Sequence, residues 1–373
     1  MARLTLWEAL AEVPDPREPR GKRHPLTAIL GLTVVATPAG MKGLAAIAQF
    51  GRDHGPALAH ALGFRRAKTP AKASLSKLFR RLDIDAFEAA LSRWLSARQE
   101  DGWQAVALDG KTPRGSADGD TPGVHLLTAF VPSAAAVLRQ LRVDAKTNEH
   151  KAALRLLGVL PSQGKVVTGD AMFTHRDVAE QIRQGGGDDV LIAEDNQPEL
   201  KAQTEEALHG DADFSPYQRR RKDAAEQEAR TTDKGHGRRA YRRLTSTALL
   251  NGYLDWPDVG QAFELERVRV LKGKATVEAV HGITSLGRGQ ADARRLLGLV
   301  RGHWGIENKL RYVRDETPGE GRCRVRTGPS PQVLAAVRTV AVYLLGGVAA
   351  GSKAAATRRF AARPQEALAL LLT

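Results

Sequence analysis

Three carboxylates, Asp109, Asp170 and Glu307, stand where a metal-binding site would need them. Asp109 ends an alternating strand pattern in which small alanines share its predicted face, so the acid has room for a ligand. Asp170 closes a second apolar run ahead of a predicted helix over 171–184, and open α/β sheets bind ligands at such strand ends. Carboxylates in these positions indicate metal-dependent cleavage of a phosphodiester backbone.

Glu307 lies in a different context, a predicted helix over about 291–314. Within it Leu296, Val300, Trp304 and Glu307 recur at spacings of four, four and three, which predicts the acid on the apolar face. A carboxylate there costs several kcal/mol unless a cation or hydrogen bonds compensate. Because the three acids are far apart in sequence, they can meet only through the fold, where one or two Mg²⁺ ions would activate water.

Each acid also has an ordinary structural interpretation. Asp109 precedes a glycine, as turn aspartates often do, and Asp170 is suited to cap the following helix. Glu307 has two possible ion-pair partners on its own helix, Arg311 and Arg314. Three further acids are reserve candidates for the third position: Asp315, Glu316 and Glu320.

Composition favours a protein that lies along nucleic acid. The chain has 373 residues, 42% of them apolar, with a formal net charge of +14 and a pI near 10.1. Residues 219–243 hold ten Lys or Arg against four Asp or Glu. Cys323 is the only cysteine, which excludes an intramolecular disulfide and a cysteine-based zinc site. Residues 1–20 lack a signal-peptide pattern and no membrane span is predicted, so we expect action on DNA in a prokaryotic cytoplasm.

The pattern of elements predicts an α/β protein with a mixed sheet, its first strand central, and flanking helices. Apolar residues recur at helical spacing over 26–49, 75–81 and 84–96, so the first hundred residues are predicted to be helical. They carry sixteen Lys or Arg and nine Asp or Glu, and they either grip DNA or form a packing cap. The predicted organisation is a helical accessory domain over 1–100, the first part of a catalytic core over 101–197, a β-rich basic insertion over 198–290, the rest of the core over 291–350, and a basic C-terminal helix or tail over 351–373.

Several sequence blocks resemble the DDE insertion-sequence transposases of the branch that includes the H-repeat-associated proteins. The likeness covers nearly the whole chain and is specific because the blocks occur together and in order. They are the segments 15–17, 23–26, 109–116, 146–149, 168–172, 195–198, 234–238, 283–286, 301–308 and 324–328.

This resemblance implies an RNase H-like core with an inserted β subdomain and with Asp109, Asp170 and Glu307 as the metal-binding triad. It also implies the chemistry: hydrolysis at transposon ends frees a 3′ hydroxyl, which then attacks target DNA, with two Mg²⁺ ions for which Mn²⁺ substitutes. A homodimer or a larger assembly on double-stranded DNA is expected. Seven further residues are predicted to contact that DNA: Lys111, Arg114, His236, Arg238, His303, Arg311 and Arg314.

The chain departs from the family pattern at several places. Glu194 stands where such transposases commonly have a lysine, and the segments 318–321 and 68–74 are also altered. Two alternatives therefore stay open beside an active transposase. One is a domesticated or decayed relative that binds DNA without cutting it, and the other is an RNase H-like nuclease without strand transfer.

Overall fold

A computed structural model describes most of the chain, which divides into two compact units. The first unit comprises residues 1–103, 110–146 and 305–373, and the second comprises 104–109 and 147–304. The described residues are 3–20, 22–98, 103–112, 116, 123–143, 148–209, 226–235, 237–316 and 319–372.

The helices and strands follow in chain order. They are α1 (Leu6–Ala11), α2 (Leu26–Ala36), α3 (Leu44–Asp53), α4 (Gly55–Ala61), α5 (Lys72–Phe79), α6 (Ile84–Ser96), β1 (Ala105–Lys111), β2 (His125–Val131), β3 (Ala136–Val143), α7 (Glu149–Leu157), β4 (Val166–Gly169), α8 (Arg176–Gln184), β5 (Asp188–Ala193), α9 (Pro198–His209), β6 (Glu226–Gly235), β7 (Arg238–Thr247), β8 (Gln261–Leu271), β9 (Lys274–Thr284), α10 (Ala293–Ile306), a π-helical segment (Glu307–Arg311), α11 (Tyr312–Glu316), α12 (Ser330–Gly346), α13 (Lys353–Ala362) and α14 (Pro364–Ala369).

The first unit is mainly helical and has a large apolar core. Helices α1 to α6 contribute to it, together with α12, α13 and α14. Local sequence explains where helices begin: Thr5 and Glu8 form a capping box on α1, and Asp83 caps α6 by accepting from the Ala86 amide. Strands β2 and β3 form an antiparallel hairpin in this unit.

The second unit is built on a mixed sheet with the strand order β1-β4-β5-β9-β8-β7-β6. The strands β1, β4 and β5 are parallel, and the remaining neighbours are antiparallel. Helix α10 covers one face through Leu296 and Val300, and α8 and α9 cover the other through Ala179 and Leu200. Four long strands, β6 to β9, make the β-rich insertion, and β9 joins it to the core strand β5.

The α/β class predicted from the sequence is confirmed: a mixed sheet with flanking helices, an N-terminal helical part and an inserted β-rich part. Two local predictions were wrong. The predicted helix over 171–184 is interrupted, because a 3-10 turn occupies Ala171–Phe173 and the Thr174 hydroxyl donates to the Ile192 carbonyl before α8 begins at Arg176. The predicted helical stretch over 26–49 is two helices, separated at the glycines Gly40 and Gly43. Gly40 has φ 90°, which glycine adopts most readily. No helix in the described part of the chain is long and apolar enough to span a membrane.

Candidate active site

Asp109 lies on β1, and Asp170 directly follows the neighbouring parallel strand β4 in the second unit. Strand β1 pairs with β4 so that Ala105 lies opposite Val166 and Ala107 opposite Thr168, an offset of 61 residues. The same offset separates Asp109 from Asp170, so a register continued by two residues beyond the last observed pair would set the two acids side by side. Neighbouring strands are about 4.8 Å apart, a spacing that lets both carboxylates reach one cation.

The two acids differ in their surroundings. Asp109 is buried at 7% exposure, and its neighbours on β1 are alanine, leucine and glycine. Asp170 is half-buried and also caps the 3-10 turn, since its Oδ1 accepts from the Met172 amide at 3.1 Å. Asp170 thus caps the 3-10 turn instead of the predicted helix, since α8 begins only at Arg176. A carboxylate has about four lone pairs, so one capping bond does not use its full acceptor capacity.

His303 lies on the same face of the sheet, one pleat below the acids. Its Nδ1 is 3.1 Å from the Thr168 hydroxyl, and both side chains are buried. Side chains two residues apart on a strand share a face, so Thr168 and Asp170 point the same way. Trp304 is half-buried, and the Arg267 guanidinium carbon lies 4.8 Å from the centroid of its ring. This cation–π contact agrees with a packing role for Trp304.

Glu307 belongs to the first unit, where it begins the π-helical segment. The prediction that it lies on the apolar face of a regular helix was wrong, because its side chain is exposed. Ile306 and Leu310 are buried instead, and a π-helical segment replaces the regular helix from Glu307 onward, so the spacing of a regular helix no longer applies there. Such π segments are rare and occur frequently at functional sites.

A buried charge network holds the segment that follows Glu307. The Glu320 carboxylate accepts from the Arg314 guanidinium at 3.1 Å, and Lys111 Nζ is also 3.1 Å away. Arg338 Nη1 completes the set at 3.8 Å. Burial alone would raise the pKa of Glu320, but Arg314, Lys111 and Arg338 together lower the pKa to about 2. The carboxylate is therefore ionised at neutral pH, and it fixes cations from β1, α11 and α12.

This network gives two predicted DNA-binding residues internal partners. Lys111 is only 14% exposed and pairs with Asp315 as well as Glu320, and Arg314 is 2% exposed. Arg311, on the π-helical segment, donates to the Gly110 carbonyl, next to Asp109 in the chain. Arg314 was a possible ion-pair partner of Glu307, but in the structure it pairs with Glu320. Sequence reasoning missed this pair, although Glu320 stood among the reserve acids.

The other predicted DNA contacts fall at the edge of the described structure. Arg238 begins β7 and is exposed, directly after Gly237, which has φ 73°. Arg114 and His236 lie outside the described residues. The DNA contacts of all seven residues stay predictions.

A basic cavity in the first unit was not predicted. It has a volume of about 870 Å³ and is lined by residues of the N-terminal helices and their connections. Burial and the nearby cations Arg23, Arg17 and Arg66 lower the pKa of His24 at this cavity. Seven cations line it beside the single acid Glu18: Arg17, Arg20, Arg23, Arg66, Lys68, Lys77 and Arg81. Arg17 pairs with Asp15, but the excess of positive charge that remains favours a polyanion.

Comparison with known proteins finds relatives that are described as putative transposases. The chain is 28% identical over 353 residues to "Putative transposase YncI" of Escherichia coli O157:H7, covering 92% of this chain and 88% of that protein. It is 26% identical to "H repeat-associated putative transposase YhhI" of Escherichia coli K12, covering 91% and 90%. A protein from Xanthobacter autotrophicus, described as the "Uncharacterized protein in dhlA 3'region", is 31% identical over 280 residues, covering 73% of this chain and 92% of that protein.

Two family models match the chain. The DDE_Tnp_1-associated model matches residues 7–95, and the transposase DDE domain model matches residues 82–345. Among solved structures, the piggyBac transposase synaptic complex with hairpin DNA aligns with 92% of this chain and 70% of that chain, at 12% identity and a TM-score of 0.43. The DDE model spans well over half of the sequence and includes Asp109, Asp170 and Glu307. The chain belongs to the transposase DDE domain family.

Proposed function

We propose that this transposase cuts DNA at the ends of a mobile element and joins the freed 3′ hydroxyl to target DNA. One observation supports the proposal: Asp109 and Asp170 each follow by two residues the last paired positions of neighbouring parallel strands, Ala107 and Thr168. Buried or half-buried acids side by side repel each other unless a cation compensates their charge. A hard divalent ion with oxygen ligands is the natural partner.

Members of the DDE transposase family generally use divalent metal ions. We propose Mg²⁺ for this chain, with Mn²⁺ as a substitute and two ions per site, held by Asp109, Asp170 and Glu307. Carboxylate oxygens match the ligand preference of both metals. When bound, the ions activate the attacking water or hydroxyl and stabilise the leaving oxygen of an in-line displacement.

The surrounding side chains supply position and charge. Thr168 orients the ring of His303, which would contact DNA on the same sheet face as Asp170. Arg311 donates to the Gly110 carbonyl, which holds its guanidinium beside the residue that follows Asp109 in the chain. Exposed Arg238 on the insertion would contact phosphates without reading sequence.

We further propose that the basic cavity binds a DNA backbone, which makes residues 1–100 a DNA-binding accessory domain. Its seven cations are consistent with several phosphate contacts. The remaining domain boundaries, at 101–197, 198–290, 291–350 and 351–373, are proposed as predicted from the sequence. A homodimer or a larger assembly would hold the two DNA ends of the mobile element together. It would work in the cytoplasm of a prokaryotic cell.

Excision in cells tests the function. The gene with its native flanking DNA is placed in a reporter, and precise loss of the segment is scored for the intact protein and for Glu307→Gln. We expect excision to disappear in the variant, since the amide keeps the side-chain shape but removes its charge. The matched control is Asp255→Asn, an acid of the second unit whose side chain is 98% exposed. Equal excision by intact protein and Glu307→Gln would remove Glu307 from the chemistry, and no excision by either would favour a relative that binds DNA without cutting it.

A further inference from the structure

A cluster of two histidines and a glutamate lies on the second unit, away from the acids described above. His209 is the last residue of α9, Glu264 is on β8 and His281 is on β9. Glu264 and His281 are directly opposite each other in the antiparallel pair, and Leu200 packs α9 against the same strands. Backbone register and helix packing therefore bring three metal-ligating side chains to one point.

The three donor atoms converge closely. His209 Nε2 is 2.7 Å and His281 Nε2 is 3.0 Å from the same oxygen, Glu264 Oε2, and the three atoms lie within 4.8 Å of one another. In a tetrahedral zinc site with bonds of about 2.0–2.1 Å, neighbouring ligand atoms are roughly 3.3–3.4 Å apart. Each histidine would need to move outward from the glutamate by only roughly 0.3–0.7 Å to admit the ion.

A second carboxylate stands behind one of the rings. Glu205 Oε1 is 3.5 Å from His281 Nδ1, the nitrogen that faces away from the cluster. Histidines that bind metals usually donate their other ring N–H to a carboxylate or carbonyl, which fixes the tautomer and the ring orientation. Glu205 stands in the position of such an outer carboxylate relative to His281.

Exposure differs among the three ligands in a way that suits ion entry. Glu264 and His281 are buried, at 8% and 6% exposure, whereas the His209 side chain is 56% exposed. Two ligands are thus preorganised by the sheet and the third closes from the surface. A fourth position toward solvent would take water.

The cluster lies on the opposite face of the sheet from His303. His281 pairs with Ala193, whose side chain packs under α9, whereas the adjacent Ile192 packs on the α10 face. Thr168 and His303 lie on that α10 face. The two-histidine set also differs in chemistry from the all-carboxylate set, because imidazole favours zinc and carboxylates alone favour magnesium.

We propose that His209, Glu264 and His281 bind one Zn²⁺ ion, which ties the end of α9 to the β8–β9 hairpin of the insertion. The ion would act as a structural clamp, since it binds the folded arrangement and so stabilises it by mass action. This site is additional to the proposed chemistry and does not depend on it.

Calorimetric titration of the full-length, tag-free protein tests the proposal. The protein is stripped with EDTA, dialysed and titrated with Zn²⁺ in excess Mg²⁺, which keeps carboxylate sites occupied. We expect one Zn²⁺ per chain, at least tenfold weaker binding for His209→Ala, and a rise in Tm with Zn²⁺ that this variant lacks. The matched control is His60→Ala, which removes another exposed histidine near the end of a helix, α4.

A second variant separates a metal site from a simple ion-pair network. Glu205→Gln leaves all three ligands in place, and we expect it to weaken Zn²⁺ binding by about tenfold, the usual effect of losing an outer partner of a ligating histidine. The proposal is overturned if the intact protein binds no Zn²⁺ in excess Mg²⁺, or if His209→Ala and His60→Ala bind it equally well. In either case the three side chains form hydrogen bonds only.

Discussion

Replacement of Glu320 by glutamine tests whether the buried charge network holds the Glu307-bearing region of the first unit. Glutamine keeps the size of the side chain but removes the charge that faces Arg314, Lys111 and Arg338. Three cations then lose their shared carboxylate in a place where Glu320 is 1% exposed and Arg314 is 2% exposed. Buried charges without a partner are costly, so the folded state should lose stability.

The pKa shift of Glu320 and the general cost of breaking a buried ion pair give similar free energies for Glu320→Gln. The pKa of Glu320 falls from the ordinary 4.5 to about 2 in the folded protein. That difference of roughly 2.5 units corresponds to about 3 kcal/mol of favourable interaction with the carboxylate. Removing one partner of a buried ion pair typically costs about 3–5 kcal/mol. We therefore expect Glu320→Gln to lower the free energy of unfolding by about 3 kcal/mol at pH 7.

The pH dependence has a definite sign. Because the folded pKa is depressed, the stabilisation is fully present above pH 4.5 and is lost as pH falls through 2. The difference in unfolding free energy between the intact protein and Glu320→Gln should thus be constant from pH 8 to pH 5. It should shrink only below pH 4.5.

Urea unfolding followed by circular dichroism and tryptophan fluorescence measures the effect. The matched control is Glu366→Gln in the same unit, where the carboxylate pairs with Arg359 and Arg363 at the surface. A surface pair is screened by water, so this control should change stability much less. The reasoning is refuted if Glu320→Gln costs less than about 1 kcal/mol, costs no more than the control, or loses its effect between pH 8 and pH 5.

Three further predictions concern other charged positions. Burial is the main cause that raises the pKa of Glu88 to about 8, so the free energy of unfolding falls as pH rises from 4.5 to 8. In urea unfolding, Glu88→Gln should leave this free energy nearly unchanged at pH 4.5 and raise it by about 4 kcal/mol at pH 8. A variant as stable as the intact protein at both pH values contradicts this. Glu194 is exposed and directly follows β5. Glu194→Lys should tighten binding of a random-sequence DNA duplex, measured by fluorescence anisotropy. Unchanged affinity would show that this position does not lie near the bound DNA. Arg66→Ala in the basic cavity should make the logarithmic salt slope of DNA binding shallower by about one, whereas Arg52→Ala, an exposed arginine outside the cavity, should not; equal slopes would exclude a phosphate at Arg66.

Sequence reasoning predicted most elements because local signals agreed with the fold. Helix α6 begins and ends at the predicted Ile84 and Ser96, since an Asp83 cap and an amphipathic pattern coincide there. Strands β1 and β4 were also predicted, although their pairing was not. Register depends on tertiary packing, and the shared offset that aligns Asp109 with Asp170 becomes visible only once the two strands are paired.

The rest could not be predicted because it depends on contacts between distant residues. Helical periodicity assumes 3.6 residues per turn, so the π-helical segment that exposes Glu307 lies outside what spacing can show. The Glu320 network joins residues from four places along the chain, and a single sequence gives no sign that Lys111 and Arg338 share a carboxylate. The basic cavity likewise collects cations from three connections of the helical part.

The central claim, that Asp170 acts through its charge as a metal-binding acid, is tested most directly by Asp170→Asn. Asparagine caps a turn as well as aspartate does, so the hydrogen bond from the Met172 amide and the Tm should be retained. The measurement is Mg²⁺-dependent cleavage of a labelled duplex that carries the native flanking DNA. We predict a loss of cleavage of at least about 100-fold at unchanged Tm, by analogy with removal of a group that stabilises charge in the transition state. Cleavage equal to that of the intact protein would show that Asp170 is only a cap and would contradict the account.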